Sequence, residues 1–322
     1  LGSRKPDYLV VSHMEPDHSG SILRLVKEFP DVILVGNAKT FQMIENFFGL
    51  NLADKQEVVT NNGTLSLGSH ELTFVFAPMV HWPEVMVTYD SKDKILFSAD
   101  AFGKFGALSL TENEDWACEA RRYYFNIVGK YGAPVQALLK KASTLDIKMI
   151  CPLHGPILKE NLGYYIGKYD VWSSYMPEDK GIVIACASIH GNTKKAAYKL
   201  AEKLESKGEK VSVFDLSRDD IAEVVEDAFR YDRLVLASPT YDGGLFPAMD
   251  MFLARLKSKG YKKRKVGFME NGTWAPMAAK HMRAIVETLQ DIEIIEPVVT
   301  IRSALNDDSE KMMDELVDAL CQ

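Results

Sequence analysis

His13-Met14-Glu15-Pro16-Asp17-His18 gathers four potential metal ligands into six residues, between the apolar run Tyr8-Leu9-Val10-Val11 and Ser19-Gly20. An apolar run before the motif and a helical pattern after it place these side chains on the turn leaving a strand. There they splay from a rigid edge into an open site. Imidazole nitrogens and carboxylates sharing one turn suit a divalent transition metal. Clusters of His and acids are usually solvated loops, but Met14 and Pro16 make this one less polar than a solvated charge run.

Working outward, each further candidate ligand ends a strand-like run. His81 lies in Ala77-Pro78-Met79-Val80-His81-Trp82-Pro83, after a strand ending at Phe76. Asp100 ends Leu96-Phe97-Ser98-Ala99-Asp100, and His154 lies in Cys151-Pro152-Leu153-His154-Gly155-Pro156. Taken alone, each has a plain explanation as a hydrogen-bonded core histidine or a cap. Together the seven ligand-capable residues exceed the needs of one ion and fit a two-metal centre in which one carboxylate bridges. His70, His190 and His281 have no such setting and read as surface or loop residues.

The halves of the chain differ in pattern. In the first, Ser21 to Phe29 carries apolar residues at helical spacing and Pro30 stops it. Val32–Val35 reads as a buried strand, and Thr40 as the cap of a second helix. Strand-like runs follow at Leu72–Phe76, Val85–Tyr89, Ile95–Ser98 and Ile147–Cys151, with helices at Trp116–Val128 and Pro134–Leu145. The second half alternates cleanly. Strands at Ile182–Ala187, Val211–Asp215, Leu234–Ala237, Val266–Met269 and Ile292–Thr300 interleave with helices at Thr193–Ser206, Asp220–Phe229, Pro247–Ser258, Pro276–Leu289 and Ser309–Leu320. Five β-α units predict a doubly wound five-stranded parallel sheet. The polar stretch Met176–Gly181 divides the chain into domains 1–176 and 181–322.

Composition narrows the function. At 322 residues, 47% hydrophobic and 26% charged, the chain is a two-domain globular protein. A net charge of −7 without a dense basic stripe argues against nucleic acid as a partner. No apolar run reaches membrane-spanning length, so a membrane is not expected as a partner either. Cys118, Cys151, Cys186 and Cys321 are widely spaced and make neither a disulfide framework nor a zinc ribbon, and a reducing cytoplasm is the natural compartment.

Three strand-end loops in the second domain form another constellation. Ser188-Ile189-His190-Gly191-Asn192-Thr193 opens onto a helix, and hydroxyls, a glycine and free backbone N–H groups there make a phosphate cradle. The loop could also be ordinary capping. Ser238-Pro239-Thr240-Tyr241-Asp242-Gly243-Gly244 and Glu270-Asn271-Gly272-Thr273-Trp274-Ala275-Pro276 follow the third and fourth strands, on the same edge of the sheet. No G-x-G-x-x-G is present, which disfavours a dinucleotide.

The ordered set H-x-E-x-D-H, His81, Asp100 and His154 resembles the metal site of the flavodiiron proteins, a branch of the metallo-β-lactamase fold. The wording of Ser98-Ala99-Asp100-Ala101-Phe102-Gly103 and Glu119-Ala120-Arg121-Arg122-Tyr123-Tyr124 is similar too, and the three later loops look like flavodoxin. The resemblance implies a metallo-β-lactamase-like αββα sandwich followed by a flavodoxin-like domain. It implies two Fe ions, one held by His13, Glu15, His81 and Asp100, the other by Asp17, His154, Asp100 and His18, with Asp100 as the bridge. It also implies FMN in the three loops, with Trp274 against the flavin ring.

Electrons would then pass from FMN to iron and reduce O2 to water or NO to N2O, with no catalytic residue beyond the iron ligands. The external donor would be rubredoxin, a reductase or a reduced deazaflavin. A head-to-tail homodimer would bring one subunit's flavin to the other's irons; the aromatics Tyr164, Tyr165, Tyr169 and Trp172 would serve either that interface or intrachain packing. Hydrolytic relatives carry His where Glu15 stands, and a carboxylate there favours iron and redox chemistry. Members of the family have strands ahead of the first motif that are absent here, so a fragment with reduced stability and weakened metal retention is expected. Two other classes share these features: a zinc hydrolase, and a flavodoxin-like electron carrier with an inactive metal domain.

Overall fold

In a computed structural model, which describes residues 2–52, 54–111 and 115–322, the chain divides into two units, Leu1–Ser173 and Ser174–Gln322. The first unit begins with β1 (Tyr8–Val10), α1 (Pro16–Ser19), α2 (Ile22–Glu28), β2 (Ile33–Gly36), α3 (Ala38–Phe48) and β3 (Gln56–Val58). These strands form a parallel sheet in the order β1-β2-β3. The cap of α3 is Asn37, not the expected Thr40: the Asn37 side chain accepts the N–H groups of Lys39 and Thr40. Thr40 lies one turn inside, fully buried, where its methyl group fills the space above Gly36.

A second sheet is built from β4 (Thr64–Ser66), β5 (Glu71–Phe76), β6 (Met86–Asp90), β7 (Ile95–Phe97) and β8 (Met149–Cys151), in that order. Its pairs are antiparallel until β8, which joins β7 in parallel after a helical excursion. Val35 from one sheet and Leu72, Phe74 and Met86 from the other share a core, so the two sheets pack face to face. Outside the first sheet, α2 and α3 bury Ile22 and Ile44 against Leu34. The excursion carries α4 (Leu108–Thr111), α5 (Trp116–Tyr123) and α6 (Gly132–Ala142), and α7 (Leu162–Ser173) follows β8. The expected helix Trp116–Val128 turns π-helical at Tyr124–Val128. Tyr169 and Trp172 are buried within this unit beside Tyr124, so these two aromatics serve intrachain packing. β3 and β4 were not expected, because three-residue strands with exposed side chains carry no apolar run.

The second unit contains β9 (Asp179–Cys186), α8 (Asn192–Ser206), β10 (Val211–Asp215), α9 (Ile221–Arg230), β11 (Tyr231–Tyr241), β12 (Gly244–Leu245) and α10 (Pro247–Ser258). It ends with β13 (Lys262–Asn271), α11 (Ala278–Val286), β14 (Gln290–Ile294), β15 (Val299–Ile301) and α12 (Asp307–Leu320). Five strands run parallel in the order β10-β9-β11-β13-β14, and two more extend the expected five-stranded sheet: β15, parallel to and further along β13, and the short β12, antiparallel to β11. The expected strand Ile292–Thr300 is thus two strands, broken where Pro297 has no N–H to give the ladder. Helices α8 and α12 close one face of the sheet over Ile184, Val235 and Met269. The loops leaving β9, β11 and β13 therefore emerge at one sheet edge, as doubly wound topology requires.

Candidate functional site

In the first unit the ligand-capable side chains converge from four strand ends. The opening motif leaves β1 and becomes α1, with Pro16 in its first turn, so Glu15, Asp17 and His18 are presented by one tight turn. His81 comes from the β5–β6 loop, Asp100 from the end of β7 and His154 from the end of β8. His13 Nε2 lies 3.3 Å from His81 Nε2, 3.4 Å from Glu15 Oε2 and 3.5 Å from Asp100 Oδ2. His81 Nε2 is 2.9 Å from the same Glu15 oxygen and 3.1 Å from the same Asp100 oxygen. A second set gathers on the other oxygen of Asp100. His18 Nε2 is 3.0 Å and His154 Nε2 3.8 Å from Asp100 Oδ1, and these nitrogens lie 3.4 Å and 3.2 Å from Asp17 Oδ2. All seven predicted residues are brought together, with His18 fully part of the second set.

Three observations bear on whether a metal fits. Bonds of about 2.0–2.2 Å to one ion leave neighbouring donors about 3.0–3.5 Å apart, close to the spread in both sets. His18 Nε2 and Asp100 Oδ1 are buried and face each other without aligned hydrogen bonds, an arrangement that costs free energy unless another atom engages both. Finally, among the described residues no Lys or Arg lies within ion-pair distance of Glu15, Asp17, Glu84 or Asp100, so the local charge calls for cations. Oxygen-rich, imidazole-containing sets of this kind suit iron.

The electrostatics agree. Burial pushes the Asp100 carboxyl up, but contacts with His18 and His81 and the charge of His13 outweigh it and hold the group well below the usual carboxylate range. Burial likewise disfavours charged His18 and His81, yet Asp100 raises both above the ordinary histidine value. Tyr123, whose ring sits 5.4 Å from that of His154, is held protonated by burial and by the Asp100 charge. Gly103 makes the approach possible, since a Cβ there would meet Asp100 O at 3.0 Å and His154 Cβ at 3.3 Å.

One participant was not foreseen. Glu84 Oε1 accepts from His13 Nδ1 at 2.7 Å and from the Met14 N–H at 2.8 Å. A lone Glu after His-Trp-Pro carries no spacing signal, although the nitrogen of every ligating His that faces away from a metal needs a partner. His70, expected as a surface or loop residue, lies in the β4–β5 loop and bonds Asp90 at 2.7 Å. Asp90 also takes the Lys92 N–H, so this pair braces a turn.

The second unit holds a cavity of about 590 Å³ where the three loops meet, a size that suits a cofactor. Every predicted residue lines it except Gly191, which faces a neighbouring groove. Gly191 adopts φ 89°, and Ser188 Oγ accepts its N–H and that of Lys194, winding the loop into α8. Gly191 at the N-cap has no side chain, so of the first N–H groups of α8 only that of Lys194 is taken, by Ser188, and those of Asn192 and Thr193 are left for an anion. Thr240 Oγ1, in contrast, takes the Met277 and Ala278 N–H groups and sets the start of α11. Trp274 is 88% exposed at the rim. Ala275, Met277 and Ser303 line the cavity without having been foreseen. Ser303 comes from a fourth loop, after β15, and is tied to both atoms of the Asn271 amide.

Comparison with known proteins gives two family matches. Residues 2–155 match a family model described as the ODP family beta lactamase, and residues 183–296 match a flavodoxin domain. A protein of Moorella thermoacetica named nitric oxide reductase is 29% identical over 92% of this chain and 76% of its own length. A putative diflavin flavoprotein A 1 of Nostoc is 30% identical over 96% of this chain, which spans 54% of that larger protein. The solved flavodiiron protein of Giardia intestinalis superposes with a TM-score of 0.89 at 25% identity, over 98% of this chain and 79% of its own.

Proposed function

Since the chain belongs to the flavodiiron proteins, we propose that it passes electrons from FMN to a non-haem diiron site and reduces O2 to water or NO to N2O. The observation that carries this reading is Asp100, a fully buried carboxylate whose two oxygens face two separate donor sets. His13, Glu15, His81 and Asp100 Oδ2 would hold one iron, and Asp17, His18, His154 and Asp100 Oδ1 the other. Bound there, FMN would supply one-electron transfer and the irons would supply redox and Lewis-acid chemistry toward a diatomic gas.

The protein's own groups supply the rest. Glu15 and Asp17, partly exposed, bring hard oxygen and negative charge to each set, which favours iron and its higher oxidation state. Tyr123 keeps its proton beside His154 and so remains an O–H donor at the edge of the site. In the second unit the Asn192 and Thr193 N–H groups at the start of α8 and the Ser188 and Thr193 hydroxyls would bind the flavin phosphate. Tyr241 and Trp274 would flank the ring. A head-to-tail dimer would supply the flavin-to-iron approach, and a cytoplasmic donor such as rubredoxin, a reductase or a reduced deazaflavin would load the flavin.

Metal and flavin analysis of purified protein, followed by anaerobic reduction and pulses of O2 or NO, tests the reading. The expected outcome is two Fe and one FMN per chain with stoichiometric gas consumption. Zinc with flavin-independent hydrolysis, or FMN without iron and without gas consumption, would each overturn it.

A further inference from the structure

We propose that Glu84 is a positioning residue that orients His13 and makes the His13/Glu15/His81/Asp100 position the tighter of the two metal positions, an inference that rests on the two-metal reading. The two sets match in donor types: each has two imidazoles, one terminal carboxylate and one oxygen of Asp100. They differ in burial, the first set lying deeper, and on the far side of the imidazoles. Glu84, 1% exposed, takes the hydrogen of His13 Nδ1 at 2.7 Å. That leaves Nε2 bare, with its lone pair toward the other three donors. Among the described residues, no carboxylate is hydrogen-bonded to Nδ1 of His18, His81 or His154.

Glu84 is itself fixed by three residues, His13 among them. Its Oε1 also holds the Met14 N–H, at the start of the ligand turn, and its carbonyl oxygen takes Asn37 Nδ2 at 2.6 Å, at the head of α3. Its Oε2 is buried with no partner. A buried carboxylate with one bare oxygen is costlier than a neutral group of the same shape. His13 is its one basic neighbour within ion-pair distance among the described residues, and a ring with a bare Nε2 carries no charge, so the cation this carboxylate would answer lies on the other side of that ring. A carboxylate on the far nitrogen makes the near one a stronger donor and locks its direction.

Metal-free full-length protein is titrated anaerobically with Fe(II) against a competing chelator, as wild type, Glu84→Gln and His154→Ala. Gln keeps an acceptor oxygen for His13 and Met14 and removes only the charge. Wild type should take up two ions in two steps; Glu84→Gln should weaken the tighter step by about 10–100-fold and leave the weaker one unmoved. His154→Ala should remove the weaker step and spare the tighter. If Glu84→Gln binds both ions as wild type does, or if His154→Ala abolishes the tighter step, the role of Glu84 is refuted while the two-metal reading stands. If wild type binds fewer than two ions, the two-metal reading itself fails. His154→Ala keeps the assignment testable even where the Gln variant does not fold.

Discussion

At the scale of single residues, exposure and partners decide which changes touch the fold and which touch only function. Trp274 is almost fully exposed at the cavity rim. Trp274→Ala should therefore change the unfolding free energy by less than about 0.5 kcal/mol, while FMN affinity, read by fluorescence titration, falls about tenfold from lost ring packing. Cys186 is the opposite case: burial and the nearby Asp215 push its thiol up to about 12. Iodoacetamide at pH 8 should label Cys118 and leave Cys186 untouched until the chain is unfolded. Glu209 grips Arg233 through two bonds, at 2.9 and 2.6 Å, and this contact holds its carboxyl below the ordinary value. A depressed folded value gives stability that is present above the unfolded carboxylate range and is lost as pH falls through it. Urea denaturation should accordingly find Glu209→Gln weaker by about 1–2 kcal/mol at neutral pH, with the gap closing below about pH 4.

At the scale of elements, the ends of strands and helices carry the site, and their capping chemistry is part of it. Asn37 caps α3 and also holds the backbone of Glu84. Asn37→Ala should cost about 1–2 kcal/mol in thermal or denaturant unfolding, the upper part of the range for a lost cap. This residue also marks where sequence reading stops. Asn37 and Thr40 are both capping types, three apart, and what decides between them is that Asn37 Oδ1 takes the first N–H groups while the Thr40 methyl packs over Gly36. The ligands were legible because His, Asp and Glu at the ends of apolar runs have few other reasons to recur. Glu84 was not, since its meaning comes from a hydrogen bond spanning 71 residues. β3 and β4 escaped because their half-exposed residues show no periodicity, and Ser303 because no motif announces a fourth loop.

At the scale of the whole molecule, each unit has its own core and its own ligand-binding residues. Binding to the folded form alone raises stability, by about 2.7 kcal/mol at a hundred times the dissociation constant. Calorimetry should show Fe(II) raising the unfolding of the first unit and FMN that of the second. An ion that shifted both equally would contradict the assignment of ligands to one unit. Arg233 adds a constraint of a different kind. Only 7% exposed, it donates to the carbonyl of Leu320, in the last turn of α12. That helix also supplies Met313, Leu316 and Leu320 to the core beneath the sheet. Every residue lining the cavity proposed for FMN precedes α12 in the chain. On the ribosome, then, all the cavity loops are synthesised before the helix that closes the core behind them. A chain stalled or clipped ahead of α12 would carry all the proposed flavin contacts on an open sheet, with Arg233 stripped of the Leu320 carbonyl. Durable cofactor capture thus waits for α12 to leave the exit tunnel.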